Sequence, residues 1–258
     1  MSYTDILLEA ADGVATITIN RPEQANMFRP RTARELADAL RRLREEPEWR
    51  VGVITGAGER FFSIGGEHEP VTRHDYSQTM PIVDVYELID SVPKPIIAAV
   101  NGYAVGGGHV IHVMCDLTIA AEHAVFRQVG PVVGSYDAGY GTWYLEDVVG
   151  RKRAKEIWYL NHKYTAAQAL DMGLVNEVVP ADRLMPRVHE IADELKRRGP
   201  GPLAAVKGAF SGRHTGVVGQ SRLAHDQMLT YYLTTEEADE LSHAFAERRD
   251  PDGERFLR

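Results

Sequence analysis

The fold is decided by residues 93–115, PKPIIAAVNGYAVGGGHVIHVMC. From Pro95 to Cys115 this stretch has no Asp, Glu, Lys or Arg, but it contains four glycines, an asparagine and two histidines. A membrane span of the same length is more continuously apolar. The pattern instead predicts a buried strand over Ile96–Val100, then a turn, then an apolar helix from Gly106-Gly107-Gly108 to about Cys115.

Strands and helices alternate on both sides of this stretch. Further strands are predicted for Ile6–Ala10, Val14–Ile19, Val51–Thr55, Leu117–Ala120 and Val175–Val179, and further helices for Thr32–Glu45, Ile82–Ile89, Leu184–Leu195 and the segment that follows the capping box Thr165-Ala166-Ala167-Gln168. This alternation favours crossover connections and an α/β fold. The chain beyond Pro200-Gly201-Pro202 looks helical, so we predict a core over residues 1–199 and a C-terminal helical lobe over residues 200–258.

The composition argues against several classes of function. The 258 residues include 37 Asp and Glu against 29 Lys and Arg, which gives a formal net charge of −8. This balance argues against a dedicated nucleic-acid or anionic-membrane partner, although it leaves room for an anionic small ligand. The single cysteine, Cys115, allows no intrachain disulfide, and the N-terminus has no secretory signal pattern. We therefore expect a soluble, cytoplasmic protein.

Two glycine clusters follow neighbouring predicted strands. The first is Ser63-Ile64-Gly65-Gly66-Glu67, and the second is Gly106-Gly107-Gly108 at the start of a helix. Glycines let backbone N–H groups approach a ligand, and the N–H groups at a helix start are unpaired. Together the clusters predict two N–H groups that bind one oxyanion. The alternative is that each cluster is an ordinary turn or helix cap.

A further candidate is the loop over residues 128–141, QVGPVVGSYDAGYG. Its Ser135 and Asp137 are candidates for holding a substrate oxygen and moving a proton. Asp137 is also a candidate for the cap of a helix that begins near Gly139.

Metal binding is not predicted. His109, His112 and Cys115 have i, i+3, i+6 spacing, but a helix turns about 100° per residue, so the first and the last lie far apart. No second cluster of ligands accompanies them in the sequence.

Taken together, these motifs resemble the crotonase (enoyl-CoA hydratase/isomerase) superfamily. The match is carried by Asn20-Arg21-Pro22, Phe61–Glu67, Pro93–Gly108 and Ala169–Pro180, and it covers nearly the whole chain. The resemblance implies a spiral of ββα units, a C-terminal helical lobe for trimerisation, and trimers that often stack as hexamers. It also implies an acyl-CoA substrate whose thioester oxygen, as an enolate, lies between the N–H groups of Gly66 and Gly107.

The resemblance also bears on the reaction. Hydratases of this superfamily use two glutamates, and the matching positions here are Val110 and Gly130, which cannot exchange a proton. Residues 128–141 and 153–158 resemble one branch, which holds 1,4-dihydroxy-2-naphthoyl-CoA synthase and 2-ketocyclohexanecarboxyl-CoA hydrolase. In that branch the residues matching Ser135 and Asp137 lie at the reacting carbon. In some of its synthases a bound bicarbonate takes the place of the missing glutamate.

Substrate and CoA contacts are implied by the same resemblance. They fall on Ile64, Gly65, Glu67, His68, Tyr76, Tyr103, Gln128, Val129, Gly130, Tyr232 and Arg248. The synthase has an arginine where Ala25 stands, which argues against naphthoate synthesis. The loop before Pro93 is also shorter than in the synthase, which favours a ring-opening hydrolase.

The expected activity is hydrolytic cleavage of a carbon–carbon bond in an alicyclic β-ketoacyl-CoA, with Asp137, oriented by Ser135, activating water. We expect no metal and no tightly bound cofactor, because the thioester already makes the α-carbon acidic. Bicarbonate near Gly130 is a candidate ligand, and the expected assembly is a homotrimer or hexamer without a nucleic-acid or membrane partner. Three alternatives stay open: a Dieckmann-type ring-closing synthase, a hydratase or isomerase with an atypical site, and an idle relative that binds CoA.

Overall fold

The computed structural model describes residues 3–67, 81–133, 140–213, 216, 235–250, 252 and 256. The chain divides into two compact units, Met1–Pro200 and Gly201–Arg258, which are described separately. The role of the C-terminal lobe in trimerisation stays a prediction.

The first unit contains two sheets. Its strands are β1 (Ile6–Ala11), β2 (Val14–Ile19), β3 (Val51–Gly56), β4 (Phe61–Ser63), β5 (Ile96–Val100), β6 (Tyr103–Val105), β7 (Leu117–Ala121), β8 (Val125–Arg127), β9 (Tyr164–Thr165) and β10 (Glu177–Val179). The six-stranded sheet has the order β1-β2-β3-β5-β7-β10, and the four-stranded sheet has the order β4-β6-β8-β9. Among the strand pairs of the described residues, β1–β2 and β8–β9 are antiparallel and the others are parallel. The β1–β2 pair is a hairpin, and the two residues between its strands, Asp12-Gly13, are typical of a tight hairpin turn.

The helices connect these strands in a repeating order. They are α1 (Pro30–Glu45), α2 (Pro81–Ser91), α3 (Gly107–Met114), α4 (Tyr140–Val149), α5 (Arg151–Leu160), α6 (Ala166–Asp171) and α7 (Leu184–Lys196). Three times the chain runs from a strand of the large sheet to a strand of the small sheet and then to a helix: β3-β4-α2, β5-β6-α3 and β7-β8-α4. The predicted spiral of ββα units is therefore confirmed.

Side chains of the large sheet alternate between two hydrophobic clusters, as the two-residue period of a strand requires. Ile54 packs in the main cluster with residues of α1, α2 and α3. Its neighbour Val53 packs on the other face, with Leu184 and Val188 of α7. None of the helices in the described ranges is both long enough and apolar enough to span a membrane.

Local sequence signals explain several helix ends. Thr165 accepts a hydrogen bond from the Gln168 N–H while the Gln168 side chain accepts one from the Thr165 N–H, so the predicted capping box is present at α6. The late strand is shorter than predicted. It begins at Glu177 because the Leu174 N–H donates to Ala169 O and closes the turn after α6.

The second unit is helical where it is described. Residues 200–213 form α8, which begins at the unit boundary, and Glu236–Glu247 form α9. Thr235 caps α9 by accepting a hydrogen bond from the Ala238 N–H. Arg248, a predicted CoA contact, is the C-cap of α9 and has a left-handed backbone.

Candidate active site

The structure brings the two glycine clusters into direct contact. Gly65 follows β4 and has φ +96°, a conformation that favours glycine. A Cβ atom placed on Gly65 would lie 2.9 Å from the backbone nitrogen of Gly107. A Cβ on Gly108 would lie 2.1 Å from the Ser63 carbonyl oxygen. The glycines are therefore required for the start of α3 to lie against the loop after β4.

The N–H groups of Gly66 and Gly107 are both available to a ligand. Phe28 forms a parallel bridge with Gly66, in which the Phe28 N–H donates to Gly65 O and the Glu67 N–H donates to Phe28 O, both at 2.9 Å. This pairing uses the groups on either side of Gly66, so the N–H of Gly66 points away from Phe28. Gly107 is the first residue of α3, so its N–H has no acceptor within the helix. Neither N–H donates to an acceptor in the described part of the chain.

These two N–H groups can stabilise negative charge. They lie on adjacent backbone segments, and one of them is at the positive end of the α3 dipole. A pair of preorganised backbone donors is the arrangement that binds an oxyanion in acyl-transfer and enolate chemistry.

A charged network supports the Gly66 side of the site. The Arg21 guanidinium forms an ion pair with Glu67 and donates to Met27 O at 2.6 Å, and its Nε lies 3.9 Å from an Asp5 oxygen. Asp5 is buried and accepts hydrogen bonds from Arg29 at 2.8 and 2.7 Å. These bonds from Arg29, together with one from a threonine hydroxyl, lower the pKa of Asp5 to about 2. The carboxylate is therefore charged throughout the neutral range.

A neutral network supports the Gly107 side. The Gln128 amide nitrogen lies 3.4 Å from Gly106 O and 3.2 Å from Nδ1 of His109, and the Gly106 N–H donates to Arg127 O at 3.0 Å. His109 is 1% exposed, and burial lowers its pKa to about 3. The imidazole is therefore neutral at physiological pH.

Two residues close to Gly107 carry no signal that we interpreted in the sequence. A Cβ on Gly107 would lie 2.4 Å from Phe28 Cζ and 3.3 Å from the Tyr86 hydroxyl oxygen. Phe28 is far from both glycine clusters along the chain, and Tyr86 lies on the buried apolar face of α2 with Val85 and Ile89, where the sequence does not distinguish it from a core residue.

Two further donors without partners belong to the turn at Gly130 and to the helix that packs against this turn. Gly130 is buried and begins the short 3-10 turn Gly130–Val132, and its N–H has no acceptor in the described residues. Helix α5 packs against this turn. On that helix the buried Nε1–H of Trp158 is also without a hydrogen-bond partner among the described residues. Buried donors of this kind suit a small anion.

Some of the other predicted site residues lie beside the two glycine clusters, and others do not. Ile64 and Glu67 flank the glycine pair, and Val129 lies 3.5 Å from the Cβ position of Gly106. Tyr103 begins β6 and so lies at the opposite end of that strand from Gly107. The following predicted residues lie outside the described ranges: His68, Tyr76, Ser135, Asp137 and Tyr232. Among the described residues no group of three potential metal ligands occurs.

Comparison with known proteins identifies the family. The family model described as enoyl-CoA hydratase/isomerase matches residues 9–255. The chain belongs to the enoyl-CoA hydratase/isomerase family. The superfamily resemblance in the sequence is thereby confirmed, whereas the branch within it stays a prediction.

Solved structures that are similar to this chain agree with this assignment. An enoyl-CoA hydratase from Bacillus anthracis is 31% identical, with coverage of 96% of this chain and 98% of that one and a TM-score of 0.76. Pseudomonas aeruginosa DspI is 26% identical, with 98% of each chain covered and a TM-score of 0.80. A monofunctional enoyl-CoA isomerase from M. smegmatis is 32% identical, with 84% of this chain and 98% of that one covered and a TM-score of 0.71.

Proposed function

We propose that this member of the enoyl-CoA hydratase/isomerase family stabilises the enolate of an acyl-CoA thioester and cleaves a carbon–carbon bond in an alicyclic β-ketoacyl-CoA with water. The observation that carries the proposal is the pair of N–H groups on Gly66 and Gly107, which lie on adjacent backbone segments and have no acceptor among the described residues. The thioester oxygen would accept from both. One such donor is typically worth about 2.7–4 kcal/mol in the transition state.

The residues at the two glutamate positions favour this reaction over hydration of a double bond. Val110 is buried on α3, one turn after Gly107, and Gly130 begins the turn after β8. Neither residue can exchange a proton with water. The proton transfers must therefore come from other groups.

We assign those transfers to Asp137, oriented by Ser135, on the evidence of the sequence. Asp137 would remove a proton from water as the water oxygen attacks the ring ketone. The bond between that carbon and the α-carbon then breaks, and its electron pair forms the thioester enolate. The proton returns to the α-carbon, so the net change is the addition of one water.

Bicarbonate is the candidate ligand at Gly130. The free N–H of Gly130 and the orphaned Nε1–H of Trp158 fit a small oxyanion in charge and in hydrogen-bonding character. Gln128, two residues earlier in the chain, adds a polar side chain to this region. When bound, bicarbonate would supply a base near the position where the family has a glutamate.

A second candidate function is that of a hydratase or isomerase with an atypical site. It is favoured by the 31–32% identity to the B. anthracis hydratase and the M. smegmatis isomerase. Such an enzyme would have to rely on Asp137 as its one acid/base. A ring-closing synthase would use the same residues in the opposite direction.

The test measures the turnover of two substrates by the wild-type enzyme and by the variant Asp137→Asn. Ring opening of 2-ketocyclohexanecarboxyl-CoA is followed by mass spectrometry, and hydration of crotonyl-CoA by the loss of the conjugated thioester. We expect ring opening that falls at least ~10²-fold in Asp137→Asn, and negligible hydration. Crotonyl-CoA turnover in the usual range of about 1–10³ per second would contradict the proposal. An absence of turnover on every acyl-CoA tested would favour the idle relative.

The assembly is also a proposal. We propose a homotrimer or a hexamer, as the family resemblance implies. Sedimentation velocity on the full chain tests it, and a monomer at micromolar concentration would contradict it.

A further inference from the structure

Helix α3 contains two buried histidines, His109 and His112, close to its N-terminus. His109 and His112 are each 1% exposed, and their rings are 4.7 Å apart in an edge-on arrangement. Both rings also contact Phe126. Each histidine has one ring nitrogen, Nε2, without a hydrogen-bond partner in the described residues. Buried polar atoms without partners are rare in folded proteins, so these two call for an explanation.

The neighbours of His109 fix its protonation state. Gly106 O lies 3.4 Å from the Gln128 side-chain nitrogen, and a carbonyl oxygen only accepts hydrogen bonds. The Gln128 group at this place is therefore the NH₂, which only donates. His109 Nδ1, 3.2 Å from the same nitrogen, must then be the acceptor. A neutral His109 consequently carries its proton on Nε2.

The neighbours of His112 give the opposite tautomer. The Thr118 hydroxyl donates to His112 O at 3.1 Å, which leaves the Thr118 oxygen to accept from His112 Nδ1 at 3.4 Å. A neutral His112 therefore carries its proton on Nδ1 and a lone pair on Nε2. The two orphaned atoms are thus one donor and one acceptor on adjacent rings.

We propose that His109 is a positioning residue for Gln128, holding the amide so that its nitrogen faces inward and its oxygen is the group offered to the site. Gln128 Oε1 makes no hydrogen bond with any described residue. An amide oxygen only accepts, so the ligand group that it contacts must be a donor, either an O–H or an N–H. Both water and the hydroxyl of bicarbonate have that chemistry. The expected effect on catalysis rests on the proposed function, whereas the orientation of the amide does not depend on it.

The orientation decides whether Gln128 offers an acceptor or a donor beside the turn at Gly130. Gly130 N–H and Trp158 Nε1–H make no hydrogen bond with the described residues. Gln128 Oε1 adds an acceptor to them. A reversed amide would remove the acceptor and would place NH₂ where the ligand O–H binds.

The first experiment reads the tautomers without any activity. In ¹⁵N-histidine NMR spectra of the full-length protein, we expect His109 to carry its proton on Nε2 and His112 on Nδ1. Spectra of His109→Asn and His112→Asn assign the signals. Gln128→Leu should shift the His109 Nδ1 signal and leave that of His112 in place. A proton on His109 Nδ1 in the wild type would overturn the proposal.

The second experiment tests whether His109 acts by positioning Gln128 or only by filling space in the core. His109→Leu removes the acceptor, whereas His109→Asn carries its amide oxygen at about the position of Nδ1. We expect kcat for ring opening to fall about 10- to 100-fold in His109→Leu and to recover to within about threefold of wild type in His109→Asn. Ile111→Ala, a buried apolar change on the same helix, is the control for lost stability and should keep its kcat. Equal kcat losses in His109→Leu and Ile111→Ala would overturn the proposal.

The third experiment identifies the source of the O–H. Kinetics in bicarbonate-free buffer are compared with kinetics after bicarbonate is added, and ¹³C-bicarbonate binding is followed by NMR. If bicarbonate binds, we expect weaker binding in His109→Leu than in His109→Asn. If water alone is used, bicarbonate has no effect and the kcat difference between the variants remains. If the enzyme opens no ring, the proposed function fails while the tautomer measurement still decides the amide orientation.

Discussion

The two candidate oxyanion donors lie on adjacent backbone segments, but the molecule holds them in different ways. On the Gly66 side the supporting groups are charged, and Asp5 is their buried centre. On the Gly107 side they are neutral and buried, with His109 as their centre. The first side therefore depends on ionisation, and the second depends on packing and on the choice of tautomer.

The backbone explains why the two sides need different support. Gly66 lies in an irregular segment whose one sheet-like contact is the bridge to Phe28, so side chains must hold it in place. Gly107 begins a helix whose close approach to Ser63 is fixed by the missing side chain of Gly108. The predictions below compare the effects of changes on the two sides.

The largest effect is expected from adding a methyl group on the packed side. In Gly107→Ala the new Cβ would lie 2.4 Å from Phe28 Cζ, whereas in Gly66→Ala it would lie 3.3 Å from the same ring. We expect Gly107→Ala to lower the free energy of unfolding by about 1–3 kcal/mol and Gly66→Ala by less than about 1 kcal/mol. Urea unfolding measures both.

A double variant identifies the cause of that effect. Phe28→Leu removes the ring atoms that the Gly107 methyl meets, so Gly107→Ala combined with Phe28→Leu should cost less than the sum of the two single changes. Activity on a β-ketoacyl-CoA should fall at least ~10²-fold in Gly107→Ala because the donor N–H moves. Equal losses of stability at Gly66 and Gly107 would remove the distinction between a packed side and a charged side.

The second prediction concerns the charged side. Asp5→Asn weakens the hydrogen bonds from Arg29 and Thr32, and we expect it to lower the free energy of unfolding by about 1.5–3 kcal/mol at pH 7. The folded pKa of about 2 lies below the unfolded value near 4, so the contribution of Asp5 is present above pH 4. It is lost as the pH falls toward 2.

The control for this prediction is Asp193→Asn, which changes an exposed carboxylate paired with Lys196. Urea unfolding at pH 7, 4 and 3 should show the cost of Asp5→Asn shrinking in acid. A cost that stays constant between pH 4 and pH 3 would show that the charge of Asp5 is not what stabilises this side.

The third prediction concerns the pH dependence of the free energy of unfolding, which should differ between the two sides. The pKa of His109 is about 3 in the folded state, below the value near 6.5 of the unfolded chain. Between these values the unfolded chain binds a proton that the folded chain does not, so stability falls as the pH falls from about 6.5. Each group whose pKa is lower in the folded state changes the free energy of unfolding by up to about 1.4 kcal/mol per pH unit in this range.

Replacing the histidine removes this contribution. Between pH 6 and pH 5 we expect stability to fall less in His109→Asn than in the wild type, by about 1 kcal/mol. Asp5→Asn should leave the slope in this interval unchanged, because Asp5 titrates lower. Identical slopes for His109→Asn and the wild type would mean that His109 is charged, or hydrated, in the folded protein.

Most of the fold was predictable because its signals are local in the chain. The Asp12-Gly13 turn, the Thr165 capping box and the Gly106-Gly107-Gly108 triplet each specify nearby backbone geometry, and the structure has all three. The close approach of the two glycine clusters was predictable for the same reason. Glycines that follow two neighbouring strands lie at the same edge of the sheet.

The support of the site was not predictable because it is made by contacts between distant residues. Asp5 and Arg29 are 24 residues apart, and no pattern in the sequence distinguishes this pair from exposed charges. His109 and Gln128 are 19 residues apart, and only the spiral connection places them side by side. The i, i+3 spacing of the histidines was noticed in the sequence, but their connection to Gln128 depends on the tertiary fold.

The smallest effect tests whether burial, rather than the number of ion pairs, makes the charged side strong. Arg183 and Glu190 form an ion pair at 3.0 Å, but their side chains are 55% and 49% exposed, against 3% for Asp5. Water screens such a pair, so Arg183→Gln should change the free energy of unfolding by less than about 0.5 kcal/mol. This change in the free energy of unfolding should vanish in roughly 0.5 M salt, because salt at that concentration strongly screens exposed charges. Asp5→Asn should keep most of its cost in the same buffer, because the Asp5 carboxylate is buried and salt screens a buried charge much less. If both variants lose the same stability and respond equally to salt, burial does not distinguish them, and the Gly66 side would be held no more firmly than any pair of surface charges.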